Sequence, residues 1–473
     1  MTAADLITLS PILVVAAAAV AVMLQIAYSR SHMVTALLTA AGLGCSFFAL
    51  FPAAELIPRE VTSLIILDGY ALFFIGLIAM AGLLVAGLSY GYLEGREEDP
   101  EEFYVLLLLA VLGSMVLASA RHFVSFFLGL EVLSVSLYAL VGYSRTADRS
   151  NEAGLKYLVL AGVSSAFLLF GMALVYADLG TMEFGQAARS AAAAGGDPVL
   201  FAGFALIIVG IGFKLALFPF HTWTPDVYEG APAPVSAFVA TVSKGAVFAL
   251  LVRYFGEGGG QTGRPLFATF WALAVASMFA GNLLALFQEN VKRMLAYSSI
   301  AHVGYLLVAF LSAGRMMVPA VSYYLAAYFA TMLGAFGVVT ITSGRGRDAD
   351  LLEDYRGLAG ERPWLAGVFT VMLLSLAGIP LTAGFIGKFY VVAAGVDSAL
   401  WVPVLALAMN SAIGLFYYLR VVTVMFAPAA EGRALPRLSL AGGAVVVCLT
   451  GVVLCLGVFP SFLVDLIRVM TSR

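Results

Sequence analysis

Apolar residues run along this chain in blocks of the length a helix needs to cross a bilayer, roughly 20 residues, separated by short polar connections. Fourteen such blocks occur, at 4–28, 33–51, 70–92, 103–120, 123–143, 154–177, 199–220, 232–254, 265–287, 294–313, 315–342, 363–396, 400–426 and 439–466. They lack the strict alternation of barrel strands. Hydrocarbon offers an unpaired backbone no partner, so each block is predicted to be a helix. The longest connections, 178–198 and 343–362, leave no room for a sizeable domain outside the membrane. The chain is therefore expected to be an all-α integral membrane protein of about 14 transmembrane helices. The first block has no basic region before it and no convincing cleavage site, and it reads as a retained helix rather than a signal peptide.

Two blocks break the pattern. The seventh ends in GFKLALFPFHTWTPDVYEGAPAPV, where Pro219 and Pro225 interrupt helical hydrogen bonding and Pro232 and Pro234 delay the eighth. The twelfth contains SLAGIPLTAGFIGKFY and is broken near its middle by Gly378, Pro380, Gly384 and Gly387. Each break adjoins one lysine, Lys214 or Lys388. Paired interruptions in corresponding places point to a transport site built on inverted repeats. With repeats at 103–254 (blocks four to eight) and 265–426 (blocks nine to thirteen), each broken helix is fourth in its five-helix repeat. An odd number of helices per repeat turns the second copy upside down. An N-terminal three-helix segment, 1–96, and a C-terminal helix within 431–473 complete the expected organisation.

Composition sharpens this picture. Of 473 residues 62% are hydrophobic and 11% charged, against about 25% charged in soluble domains. The net charge of −3 carries little information, because the charges are confined to loops. Cys45, Cys448 and Cys455 form no CxxC pair and no Cys/His cluster, so they read as apolar fillers and support neither an iron–sulfur nor a zinc site. There is no dinucleotide fingerprint and no Walker A motif. Energy for transport must then come from a partner or an ion gradient.

Loop cations set the orientation. Arg30, Arg96, Arg145, Arg149, Lys292, Arg293, Arg345, Arg347, Arg356, Arg362, Arg433 and Arg437 follow odd-numbered blocks, and eight arginines lie on the opposite side. That bias of 12 to 8 places both termini outside, in the periplasm of a bacterium. The acidic stretch 94–102 then faces the cytoplasm as a solvated connection.

The lysines are distributed differently. Lys156, Lys214, Lys244 and Lys388 interrupt apolar blocks, and only Lys292 is assigned to a loop. Arginine stays charged, whereas a lysine in a low-dielectric site can release its proton. A charge inside the membrane usually marks an ion path or proton relay. Glu131, in the middle of FFLGLEVLSVSLYALVGY, is expected to be protonated or paired, and Lys214 is the fitting partner. Lys244, in FVATVSKGAVFAL, has no carboxylate near it in sequence, and Ser243, Gly245 and Ala246 leave room for water. Lys156 lies near the start of its block, where a relay role competes with snorkelling to the interface. His302, in SSIAHVGYLL, occupies the second helix of the second repeat as Glu131 does in the first, and histidine titrates near neutrality. A satisfied core histidine is the plain alternative. His221, at the first break, is a candidate access group. Arg420 is expected to snorkel or hold a water network, and Tyr297, Tyr305, Tyr323, Tyr324, Tyr417 and Tyr418 to pack.

Three runs together resemble one family. HTWTPDVYEGAPAPVSAFVATVSKGAVFALLVRYF (221–255), NVKRMLAYSSIAHVGYLL (290–307) and LAGIPLTAGFIGKFYV (376–391) are similar to the antiporter-like membrane subunits of respiratory complex I. The resemblance covers nearly the whole chain. Within that family, VSKGAVF in the eighth block and an end directly after the fourteenth look like the N-type branch. An L-type chain continues into a lateral helix, and an M-type chain typically carries a glutamate where this one has Lys388. The resemblance implies a hydrophilic axis of a glutamate in helix five and lysines in helices six, seven, eight and twelve, which match Glu131, Lys156, Lys214, Lys244 and Lys388. It also implies K-like and M-like neighbours in a bacterial inner membrane, no nucleic-acid partner, and no cofactor bound by this chain. NADH, FMN, iron–sulfur clusters and quinone would be held by other subunits. A subunit of a multisubunit sodium/proton antiporter is the main alternative, and a non-translocating scaffold the other.

Overall fold

The computed structural model describes residues 2–96, 99–145, 147–193, 197–256, 264–312, 314–429 and 439–471. Arg433, Arg437 and the first residues of the expected C-terminal segment lie outside them. All fourteen apolar blocks are helical. The spans are α1 (Ala3–Tyr28), α2 (His32–Ala54), α3 (Gly69–Leu93), α4 (Glu101–Ser119), α5 (Phe123–Val141), α6 (Asp148–Leu179), α7 (Pro198–Leu215), α8 (Ala233–Gly256), α9 (Pro265–Leu286), α10 (Val291–Leu311), α11 (Met317–Thr342), α12 in two halves (Pro363–Ala377 and Ala383–Asp397), α13 (Trp401–Met425) and α14 (Leu440–Val458). Thirteen of these are continuous, and α12 reaches spanning length only with both halves.

The differences from the expected bounds have local causes. The seventh span stops at Leu215 because Ala216 turns left-handed (φ 58) ahead of Pro219. The fourteenth stops at Val458, since Pro460 pushes Phe459 out of the helical region, and Ser461–Thr471 forms a separate helix. The connection 178–198 contains a short helix, Phe184–Ala193. Lys292 is a correction: it is the second residue of α10, buried, behind an N-cap in which Asn290 Oδ1 accepts from the Arg293 amide at 3.0 Å. Polar residues at a helix start resemble a loop when read by hydropathy.

The centre is made by α8 and α11, buried along their apolar lengths, and by α10, buried over nearly all of its own. The peripheral helices α1, α2, α6, α9, α13 and α14 keep most of their apolar surface outward. The three cysteines lie on outward-facing surface rather than in the interior. Lipid tails are as apolar as a packed core, so burial between helices follows shape and small residues rather than hydrophobicity. In both expected repeats the first two helices pack closely at a glycine. A Cβ on Gly113 of α4 would come 2.6 Å from the Leu133 amide of α5, and one on Gly281 of α9 would come 2.6 Å from the Ala301 amide of α10.

The two breaks also match. Each first half ends at a left-handed residue, Ala216 (φ 58) or Gly378 (φ 84). The next amide then bonds back five residues, Leu217 to Gly212 at 2.8 Å and Ile379 to Leu374 at 3.0 Å. That arrangement satisfies carbonyls a helix end leaves orphaned. After the first break comes the short helix Trp223–Gly230. At this end of the bundle Arg96, Arg149, Lys292, Arg293 and Arg347 share the carboxylates of Asp226, Glu229, Asp348, Asp350 and Asp354. Arg30 holds Asp99 and Glu102 of the acidic stretch at 2.5 and 2.6 Å, so part of that stretch is paired rather than simply solvated.

Candidate functional site

Among the described residues, none of the ion pairs includes Lys214, Lys244 or Lys388. All three are nevertheless buried, with 3%, 2% and 8% of their surface exposed. An unpaired buried ammonium carries a desolvation cost of several kcal/mol, and each of the three is held by hydroxyl or carbonyl oxygens instead.

Lys214 lies in the last turn of α7. Its Nζ donates to Ser134 Oγ of α5 at 2.7 Å and sits 5.5 Å from the Tyr157 ring of α6. The expected direct pair with Glu131 is not formed. Glu131 Oε1 accepts from Ser165 Oγ of α6 at 2.6 Å. Residues three apart on a helix are neighbours on one face, so Ser134 stands one turn along α5 from Glu131 and takes the lysine first.

Lys244 comes directly after a wide π turn, Val239–Ser243. One extra residue in a turn rotates the rest of the helix by roughly 100°, and such turns frequently mark functional sites. Lys244 Nζ donates to Ser299 Oγ of α10 at 2.6 Å and lies 5.5 Å from the Tyr228 ring. Room for water beside Gly245 is not found: the Phe329 ring fills it, 2.4 Å from where a Cβ would stand.

His302 is buried one turn further along α10. Its Nδ1 lies 2.7 Å from Tyr324 OH and its Nε2 3.4 Å from Tyr418 OH, which also meets Ser298 Oγ. The next turn presents Tyr305, whose ring is 5.3 Å from that of His302 and whose hydroxyl accepts from Asn282 at 2.9 Å. Lys388 closes the series. Its Nζ donates to Ala377 O and Ser411 Oγ, both at 2.8 Å, and lies 5.2 Å from the Tyr305 ring. The lysine thus caps the carbonyl end of the first half of α12, where a cation is favoured by the helix dipole. Ser298, Ser299, His302 and Tyr305 recur at helical spacing and make α10 a polar ladder from Lys244 to Lys388.

Tyr305, Tyr324 and Tyr418 are buried as packing groups are, and their hydroxyls also meet Asn282 or His302. The i, i+3, i+4 spacing within SSIAH is the available signal for the face they meet. A small cavity of about 10 Å³, lined by His302, Tyr324, Ala327, Tyr328, Thr331, Ser375, Leu376 and Gly384, lies between this ladder and the second break. That volume suits a single water molecule. Lys156 stands apart: its side chain is 42% exposed and pairs with Glu152 at 2.6 Å and Asp226 at 2.8 Å. His221 is buried against Phe218, ring centroids 5.2 Å apart. Arg420 is half-buried and donates to Leu286 O and Gln288 O, capping the end of α9. The breaks themselves tolerate little. In Gly384→Ala the new Cβ would meet Ser375 O at 1.9 Å, so the variant should lose about 1–3 kcal/mol. Thermal melting of the purified protein checks this. Gly367→Ala in the same span, with nothing within 4 Å, should melt as the unmodified protein does.

The fold and site define a polytopic helical membrane protein that holds several ionisable side chains in a buried series between two broken helices. The chain belongs to the family described as NADH:quinone oxidoreductase/Mrp antiporter, transmembrane, whose pattern matches residues 120–414. It is 48% identical, over 99% of its length and 97% of the relative's, to NADH-quinone oxidoreductase subunit N of Ectopseudomonas mendocina (strain ymp). Among solved structures it is similar to a chain of respiratory complex I from Thermus thermophilus, with 34% identity, a TM-score of 0.83, and 96% and 98% of the two chains covered. It shares its fold, at 20% identity and a TM-score of 0.87, with a chain of the Mrp complex from Dietzia sp., covering 99% and 96% of the two chains.

Proposed function

We propose that this chain is a proton-translocating membrane subunit of a bacterial NADH–quinone oxidoreductase. In this reading Glu131, Lys214, Lys244, His302 and Lys388 carry protons or charge between the two breaks, and Lys156 regulates one end. The observation that carries it is the series of three lysines held only by neutral oxygens. A lysine paired with a carboxylate is fixed in charge, whereas one solvated by hydroxyls can exchange a proton with modest rearrangement. The repeats span 103–254 and 265–426, both termini face the periplasm, and K-like and M-like subunits flank the chain in the membrane. Redox chemistry at NADH, FMN, iron–sulfur clusters and quinone belongs to partner subunits. It acts on this chain by moving charge near Glu131, whose partial exposure suits coverage by a neighbour. Higher identity to the quinone oxidoreductase relatives than to the Mrp chain favours this over sodium/proton exchange.

Native-gel separation of gently solubilised membranes tests the assignment. The chain is expected to run with the band that stains for NADH dehydrogenase activity. Migration in a separate complex, with sodium-dependent transport, would instead establish the antiporter reading.

A further inference from the structure

We infer that the eight-residue helix Trp223–Gly230 couples Lys214 to Lys244, and that Asp226 is the positioning residue that sets where this helix lies. The inference rests on the translocation reading above and adds a mechanical element to it.

The short helix touches the surroundings of both lysines. At its start, Trp223 Nε1 donates to Phe213 O at 3.0 Å, the carbonyl just before Lys214. Its ring stacks on Phe213 at 5.2 Å and lies 5.0 Å from Tyr157, the ring that faces Lys214. Near its end, Tyr228 faces Lys244, and its hydroxyl is 3.4 Å from Ser299 Oγ, the oxygen that receives the lysine's hydrogen bond. A rigid helix of two turns therefore cannot shift without changing the environment of both ammonium groups.

Its position is set by two cations on different helices. Asp226 Oδ2 accepts from Lys156 of α6 at 2.8 Å, and Oδ1 accepts from Arg293 of α10 at 2.7 Å. One belongs to the first expected repeat and the other to the second. Each cation also has a second carboxylate: Glu152 lies 2.6 Å from Lys156, and Glu229 lies 2.8 Å from Arg293. Either can release Asp226 without being left unpaired. Asp226 bridges α6 and α10, and letting go of one side leaves no cation unpaired, which suits a switch that distant charge can bias. A carboxylate with one cation and no alternatives would be a fixed strut. Lys292 adds a pivot, donating to Glu229 O at 2.9 Å and Ala231 O at 2.7 Å at the end of the same helix.

The test uses the assembled complex in membrane vesicles, with turnover and proton uptake measured per assembled complex. Asp226→Asn keeps the side-chain shape and removes the charge. It should lower coupled turnover by roughly fivefold or more, and Asp226→Glu should restore most of it. The double variant Lys156→Ala with Asp226→Asn should be no worse than the more defective single one, because the two act as a unit. Normal turnover and stoichiometry per complex in Asp226→Asn overturns the inference, even if the complex is less stable. Should Asp226→Asn fail to assemble, Tyr228→Phe, which removes only the hydroxyl beside Ser299, decides instead. Reduced turnover per complex supports the coupling role and unchanged turnover overturns it. Lys244→Ala separates the two levels. A normal Lys244→Ala complex defeats the translocation reading, whereas a defective one beside a normal Asp226→Asn defeats only the coupling role.

Discussion

Replacing Lys244 by alanine should lower proton-coupled NADH–quinone turnover by roughly 10- to 100-fold at an unchanged amount of assembled complex. Lys244 is the most enclosed member of the series, and its ammonium is held by Ser299 Oγ at 2.6 Å. Removing it breaks the sequence of exchangeable groups between Lys214 and the α10 ladder. Coupled steps cannot run alone, so electron transfer should slow together with pumping. Lys244→Arg sharpens the expectation. Arginine preserves the positive charge but does not release its proton, so a relay fails in both variants while an electrostatic scaffold survives the second. Dye-quench assays of proton uptake, run beside NADH oxidation, check this. Full pumping in Lys244→Arg would sink the relay role.

Asp348→Ala should destabilise the folded chain by about 3–5 kcal/mol, the cost of leaving a buried cation without its partner. Lys292, with 1% of its side chain exposed, donates to Asp348 Oδ2 at 2.8 Å, and Arg96 Nη1 lies 3.1 Å from Oδ1. Tyr92 OH donates to the same carboxylate at 2.7 Å. Burial alone would push this carboxyl up, but Lys292, Arg96 and Tyr92 outweigh it and hold it below the ordinary value of 3.8. A depressed carboxyl stabilises above the unfolded value and loses that contribution as pH falls through the folded one. The contribution of Asp348, read as the difference in melting temperature between the native protein and Asp348→Ala, should therefore be constant from neutral pH down to about pH 4 and shrink below that. Asp348→Ala should melt earlier throughout and show a shallower acid response. Thermal melting of the purified protein from neutral to acid pH measures both, and an unshifted midpoint at neutral pH would rule out this role for Asp348.

The site is legible in the sequence to different depths at different residues. Lys214, Lys244 and Lys388 announce themselves because a cation in an apolar block has no plain structural use. Glu131 stands out for the same reason, but its partner does not. Nothing in FFLGLEVLSVSLYALVGY tells whether a lysine from another helix meets residue 131 or Ser134 one turn later. Tyr324 and Tyr418 stay hidden because tyrosine is common in membrane helices and reveals a role only through what its hydroxyl meets. Asp226 and Glu229 lie in a polar run beside prolines, where a carboxylate looks solvated. Their use emerges only when α6 and α10 bring Lys156 and Arg293 to either side.

By itself the sequence determined the number of spans, most of their limits, the two breaks and the entry of Lys214, Lys244 and Lys388 into the apolar region. Each of these stems from local chemistry: backbone satisfaction in hydrocarbon, missing amides at proline, and the high cost of an isolated charge. Only the tertiary structure decided that α8, α10 and α11 are central, that Lys292 is a helix residue bound to Asp348, and that α10 joins Lys244 to Lys388. The reason is physical. In a soluble helix the polar face points to water and the apolar face inward, so periodicity reports burial. In a bilayer both surroundings are apolar, and the side that faces a neighbouring helix differs from the side that faces lipid only in shape and in a few hydroxyls whose partners lie far away along the chain.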